Sequence, residues 1–206
     1  MDTKQDVELE CWFDFGSNYS YLSVMRIEDL LRRAGLRIVW RPFLLGPVFK
    51  ALGWETSPFV LHKAKGDYMW RDMERQCEKY ALPWRRPTEF PRHSLLPVRV
   101  ALLGEEQPWM GEFCRRVMSR NFAADQDIHA EASVAAVLDE MGLDAAAIIA
   151  AARSEANKVR LRERGERAKA LGIFGAPTFF VHGEMFWGND RLDDAIARAV
   201  APFNLS

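Results

Sequence analysis

The hydrophobic period of this chain changes twice in its first stretch, and that switch constrains the fold more than any other feature. Leu9, Cys11, Phe13 and Phe15 alternate with Glu8, Glu10, Trp12 and Asp14. This is the period-two signature of a strand with one buried face. From Ser17 the apolar residues Leu22, Met25, Ile27, Leu30, Leu31 and Ala34 take helical spacing, and Gly35 supplies the stop. Leu36, Ile38 and Trp40 then alternate with Arg37, Val39 and Arg41, and Pro42 ends a second strand. A strand–helix–strand unit of this length closes as a right-handed parallel crossover. The chain therefore opens as α/β.

The middle departs from that pattern. Between Gly46 and Gly165 the sequence carries helical periods separated by Pro-rich breaks, with little sign of strands. Met69, Met73, Cys77 and Tyr80 make an apolar stripe opposite Arg71, Arg75 and Lys79. Further helices are expected over Leu95–Leu103, Trp109–Phe122, Ile128–Met141 and Asp144–Ala152. Loops are expected at 82–87 and at Phe90-Pro91. A charged helix from Glu155 to Leu171 follows; its arginines are interleaved with glutamates, as on a solvated face. Two short strands, Thr178–Val181 and Glu184–Trp187, flank the tight turn His182-Gly183. A last helix runs from about Asn189 to Val200.

The order β-α-β, helical block, α-β-β-α describes a thioredoxin-like α/β core split by a large all-helical insertion, a DsbA-like arrangement. The expected division is 1–45 for the first part of the core, 46–164 for the insertion and 165–206 for the second part of the core. A chain of 206 residues with 49% hydrophobic content can bury a sizeable core. Its net charge of −1 gives no basis for a nucleic-acid or anionic-membrane partner. The polar start Met1–Asp6 leads straight into a strand pattern, so no signal peptide is expected. No apolar run reaches membrane-spanning length. Cys11, Cys77 and Cys114 are odd in number and far apart, without metal-like spacing. They read as buried small hydrophobes in a cytoplasmic protein.

Three places would converge in such a core. The first is Ser17, at the start of the first helix. Unpaired helix N–H groups there favour an anion, and thiol–disulfide enzymes use this position for a thiolate, usually within Cys-x-x-Cys. Here Ser17 and Ser20 stand at the two cysteine positions. Ser17 fits two readings: a helix N-cap, or a hydroxyl that donates to a thiolate brought by a ligand. The second place is Ala176-Pro177. It is either a plain strand-initiating proline or a cis link that turns the N–H and C=O of Ala176 outward to pair with a peptide-like ligand. The third is Gly188-Asn189-Asp190-Arg191, which is either an ordinary helix start or a receiver for a ligand carboxylate, with Asp190 facing an ammonium. Two helix N-termini and a strand edge around one cleft suit a small zwitterionic peptide.

Several blocks of sequence resemble the kappa-class glutathione transferase and 2-hydroxychromene-2-carboxylate isomerase family, within the DsbA-like branch of the thioredoxin superfamily. They are Phe13-Asp14-Phe15-Gly16-Ser17-Asn18-Tyr19-Ser20-Tyr21, Arg41-Pro42-Phe43-Leu44-Leu45-Gly46, Phe49-Lys50, and Lys65 with Tyr68-Met69 and Asp72. Phe174-Gly175-Ala176-Pro177-Thr178-Phe179-Phe180 and Phe186-Trp187-Gly188-Asn189-Asp190-Arg191-Leu192 complete the set and favour the isomerase branch. The resemblance implies glutathione as cofactor. Ser17 would hold its sulfur as thiolate, Lys65 would reach the glycine end, Ala176 before cis-Pro177 would pair with the cysteinyl unit, and Asn189 and Asp190 would hold the γ-glutamyl end. It implies a homodimer and a small aromatic carboxylate as substrate, in the catabolism of aromatic compounds.

The chain departs from the family pattern at Asn18, where proline is usual, at Gly53-Trp54, where an asparagine often helps bind glutathione, and at His93, where asparagine is expected. Three functions remain open from sequence. They are a glutathione-dependent isomerase using reversible thiolate addition, a kappa-type transferase or peroxidase, and a non-catalytic glutathione- or peptide-binding module. Trp54, Trp70, Trp84, Arg85 and Arg86 are available for an aromatic acid, although packing accounts for most such tryptophans.

Overall fold

The computed structural model describes residues 7–201; the polar stretch at residues 1–6 lies outside it. The described strands form one four-stranded sheet in the order β2-β1-β3-β4. β1 (Glu8–Phe13) pairs in parallel with β2 (Arg37–Pro42), with Leu9 opposite Ile38 and Cys11 opposite Trp40. β3 (Thr178–Val181) runs antiparallel to β1, and β4 (Glu184–Trp187) antiparallel to β3. The β3–β4 turn is the expected two-residue one: His182 and Gly183 have φ of 51° and 80°, the doubly left-handed geometry that matches strand twist.

The helix expected from Ser17 to Ala34 is two helices, α1 (Asn18–Val24) and α2 (Ile27–Ala34). Apolar spacing continues across the joint, but Arg26 leaves helical geometry and its Nε donates to the Leu22 carbonyl at 2.9 Å. Between β2 and β3 lie α3 (Leu45–Ala51), α4 (Pro58–Leu61), α5 (Lys63–Tyr80), α6 (Leu95–Gly104), α7 (Met110–Phe122), α8 (Glu131–Glu140), α9 (Ala145–Ala152) and α10 (Glu155–Ala170). α8 starts three residues later than its apolar pattern suggests. The Asp127 carboxylate accepts from the N–H groups of His129 and Ala130 and from the Ser133 hydroxyl, holding residues 128–130 outside the helix. After β4, a 3₁₀ turn (Asn189–Arg191) leads into α11 (Leu192–Val200).

One continuous core joins Leu9, Cys11, Phe13 and Phe179 of the sheet to Met73, Val100, Phe113, Val117 and Leu138 of the helical block and Ala195 of α11. A second, smaller core of Trp12, Phe43, Val48, Ala168, Ile173 and Phe180 fills the opposite sheet face under α3 and α10. The expectation of a single buried face on β1 therefore fails at its C-terminal half: Trp12 is 2% exposed and Asp14, just past the strand, 5%. The cover comes from segments remote in sequence, which the local alternation does not report. α10 also runs unbroken across the expected division at 164/165.

Candidate functional site

The end of β1 delivers the chain into a tightly braced loop. Asp14 is the brace: its Oδ1 accepts from the Gly16 N–H (2.9 Å) and the Ser94 hydroxyl (2.5 Å), and its Oδ2 from the Leu45 N–H (2.7 Å). Burial raises the pKa of this carboxyl, and the three donors work against that rise. One side chain thus ties together the β1–α1 loop, the start of α3 and the segment before α6. On the other side, Asn121 Nδ2 donates to the Phe15 carbonyl (2.9 Å), and Asn121 Oδ1 accepts from Arg92 (2.9 Å). Arg92 is buried and paired with Asp125. Gly16 has no room for a side chain, since a Cβ there would stand 2.9 Å from the Arg92 carbonyl oxygen.

That loop presents Ser17 at the N-cap of α1. Its Oγ accepts from the Ser20 N–H (3.2 Å) and donates to the main-chain carbonyl of Ala176 (3.0 Å). The cap reading of Ser17 holds, and its single O–H proton is donated to Ala176, so a ligand sulfur would have to take it from that carbonyl. Capping uses a lone pair of the oxygen, while the O–H points away from the helix toward the Ala176-Pro177 link. That link is cis, and the half-buried Ala176 N–H donates to no protein group among the described residues. The N–H groups of Asn18 and Tyr19, at the open end of α1, are likewise without protein acceptors there. Asn18 turns into the protein, with Nδ2 2.6 Å from Met69 Sδ, so α1 begins without the proline usual in the family.

The Pro177 carbonyl accepts from the Gly188 N–H (2.9 Å), which sets the Asn189–Arg191 turn beside the cis link. Gly188 sits at φ 109°, and a Cβ there would meet the Asp190 carboxylate, so glycine is required. The Asn189 side chain faces inward, 6% exposed: Oδ1 accepts from Ser23 Oγ (3.0 Å) and Arg26 Nη2 (2.8 Å). Asp190 is exposed and lies beside Arg191 (3.2 Å).

The remaining wall comes from α4 and α5. Tyr19, next but one to Ser17, donates its hydroxyl to Asp72 Oδ2 (2.8 Å) and packs against Phe59 with ring centroids 6.0 Å apart. Burial first, then Asp72, holds the Tyr19 pKa far above its ordinary value. Lys65 is exposed, with its ammonium 5.5 Å from the Phe59 ring centroid. The structure thus brings Ser17, Ala176 and Pro177 into direct register, links Asn189 to them through Gly188, and places Lys65 on the flank behind Phe59 and Tyr19.

Trp70 and Trp84 pack into the aromatic core with Phe90 and Phe122, while Trp54 lies against Phe49. His93 stands at the surface with its ring centroid 5.6 Å from that of His129. Sequence reading missed Asp14, Asn121, Arg92, Ser94, Ser23 and Arg26. Of these only Asp14 carried a signal: a carboxylate next to the strand-to-helix switch.

All three cysteines are buried, and burial raises each thiol pKa, Cys77 to about 12. None is available as a thiolate at neutral pH. Among the described residues no helix is long and apolar enough to cross a membrane.

Comparison with known proteins gives the same outline. The family model for a DSBA-like thioredoxin domain matches residues 8–199. The chain is similar to 2-hydroxychromene-2-carboxylate isomerase of Sphingobium xenophagum, at 32% identity over 90% of this chain and 94% of that one. It is similar to glutathione S-transferase kappa 1 of Rattus norvegicus, at 25% identity over 90% and 87%. A solved 2-hydroxychromene-2-carboxylate isomerase superposes with a TM-score of 0.82 at 28% identity, covering 93% of this chain and 95% of that one.

Proposed function

The chain belongs to the DSBA-like thioredoxin family, in the group that holds the 2-hydroxychromene-2-carboxylate isomerases and kappa-class glutathione transferases, and from that premise we propose that it is a glutathione-dependent isomerase of an aromatic carboxylate. The observation that carries the reading is the hydrogen bond from Ser17 Oγ to the Ala176 carbonyl. It sets a hydroxyl donor at an open helix start beside the Ala176 N–H, which has no protein acceptor among the described residues.

The residues present fit a glutathione molecule. Bound glutathione would supply a thiolate that adds reversibly to a conjugated substrate, allowing a bond in that substrate to rotate before the sulfur leaves. The protein's own cysteines are too deeply buried for that role. Ser17 would turn its one proton from the Ala176 carbonyl to the sulfur, and the N–H groups at the start of α1 would add a positive field, together favouring the ionised form. The Ala176 N–H would bind the cysteinyl unit as an added strand does. Lys65 would meet the glycine carboxylate, and Asp190 the γ-glutamyl ammonium. The Tyr19 hydroxyl is committed to Asp72, which leaves Ser17 as the hydroxyl offered to the sulfur. Two relatives named as 2-hydroxychromene-2-carboxylate isomerases, at 32% and 29% identity, support the reaction class.

The test is to mix the protein with 2-hydroxychromene-2-carboxylate and follow its absorbance with no glutathione, with a substoichiometric amount, and with excess. Full conversion at substoichiometric glutathione, with the glutathione recovered, is expected. Stoichiometric loss of glutathione to an electrophile would indicate a transferase, and conversion independent of glutathione would overturn the proposal.

A further inference from the structure

The carbonyl oxygen of the Asn189 side chain is committed to a joint within the protein. That oxygen accepts two hydrogen bonds, from Ser23 Oγ at 3.0 Å and Arg26 Nη2 at 2.8 Å, in a site only 6% exposed. Arg26 is itself fixed on two further sides: Nε donates to the Leu22 carbonyl at 2.9 Å, and the guanidinium lies 3.6 Å from the centroid of the Tyr80 ring. Its fork therefore reaches Asn189 from a rigid mount, as a planar guanidinium can and an ammonium cannot. Ser23 is fully buried, one residue before α1 ends. The break between α1 and α2 falls at Arg26, the residue that makes this contact.

We propose that Ser23 and Arg26 are positioning residues for the glutathione site, acting through the Asn189 side chain to set where the Asn189-Asp190 turn stands relative to Ser17. The inference rests on the glutathione reading above. α1 carries Ser17 at its N-cap and Ser23 near its other end, a rise of about 9 Å along the axis. That span is on the order of an extended peptide two to three units long. One short helix thus fixes the distance between the point that meets the sulfur and the turn that meets the γ-glutamyl end. With the Asn189 carbonyl oxygen committed inward, the turn has its main chain, the Asn189 amide nitrogen and the Asp190 carboxylate to offer a ligand.

The test compares the wild type with Arg26→Ala, Ser23→Ala, Asn189→Ala and Asn189→Asp, by glutathione titration calorimetry and by KM for glutathione and kcat in the isomerase assay. Arg26→Ala and Asn189→Ala should each weaken glutathione binding about tenfold while kcat at saturating glutathione changes little. The double variant should be no worse than either single one. Ser23→Ala, which removes one donor from a site that still folds around Arg26, should weaken binding by a smaller factor. Asn189→Asp keeps an acceptor for both donors and should rescue most of the loss.

The inference is overturned if Arg26→Ala and Ser23→Ala bind glutathione as the wild type does. It is also overturned if Asn189→Asp loses as much affinity as Asn189→Ala, since the side chain would then be touching the ligand. Failure of the wild type itself to bind glutathione would remove the functional reading and this inference together, a result distinct from both.

Discussion

The Ser17 hydroxyl donates to the carbonyl oxygen of Ala176 at 3.0 Å, joining positions 159 residues apart. The same oxygen caps α1 through the Ser20 N–H. The cap uses the oxygen as an acceptor, while its single proton goes to Ala176, so a sulfur ligand would receive that proton in place of the carbonyl.

Replacing Ser17 with Ala should separate those two roles. Loss of the cap should cost about 1 kcal/mol of stability. Loss of the donor should cut turnover by about a hundredfold or more, the usual effect of removing one hydrogen-bond donor to a developing anion. Denaturant melts and steady-state rates measured side by side check this; a rate matching the wild type would sink the proposed role.

Asp14 should leave a signature in the pH dependence of folding. Its pKa is raised in the folded chain, above the ordinary 3.8, chiefly by burial. The folded state then holds that proton more tightly than the unfolded state, so between 3.8 and the raised value this group makes stability fall as pH rises. Asp14→Asn should abolish that slope and also cost about 2 kcal/mol, because an amide cannot accept from all three donors. Urea unfolding at stepped pH measures both, and parallel slopes in the two proteins would contradict the assignment.

Asp125 should act in the opposite sense. The Thr88 N–H and then Arg92 hold its pKa down to about 2. The stability this group contributes is present above 3.8 and is lost as pH falls toward 2. Asp125→Asn should be less stable than the wild type near neutrality and lose less on acidification. Acid titration followed by circular dichroism would show the two curves converging; curves that stay parallel would be evidence against the pairing.

The three thiols should be silent in the native state. With Cys11 and Cys114 fully buried and Cys77 pushed up to about 12, a chromogenic disulfide reagent should react with none of them on the time scale of mixing and with all three after denaturation. Rapid native labelling of any one would reopen the question of a protein-borne sulfur.

The sequence made the ends of the fold legible because local chemistry writes them. The period switch at Ser17 and the His182-Gly183 turn carry their conformations in a few consecutive residues. Convergence of Ser17 with Ala176-Pro177 followed from topology, and the resemblance pointed to the same residues.

What stayed hidden was set by partners far along the chain. Alternation placed Trp12 and Asp14 on an outer face, yet Phe43 and Arg164 lie against the first and Leu45 and Ser94 meet the second. Arg26, at the helix break, bonds Asn189, 163 residues later. Apolar spacing carries no record of a polar contact across that distance. The inward turn of Asn189 was invisible for the same reason, since an Asn before a helix reads as a cap or a ligand group until its neighbours are known.

On the glutathione reading, the site at Ser17 would stabilise a thiolate that the ligand brings. The most direct measurement is the ultraviolet absorbance of thiolate, titrated against pH for glutathione bound to the wild type and to Ser17→Ala. Bound to the wild type, the thiol should ionise well below the ordinary range of about 8.5, and the substitution should return it toward that range. An unshifted titration on the wild type, or an equal shift on both proteins, would contradict the account.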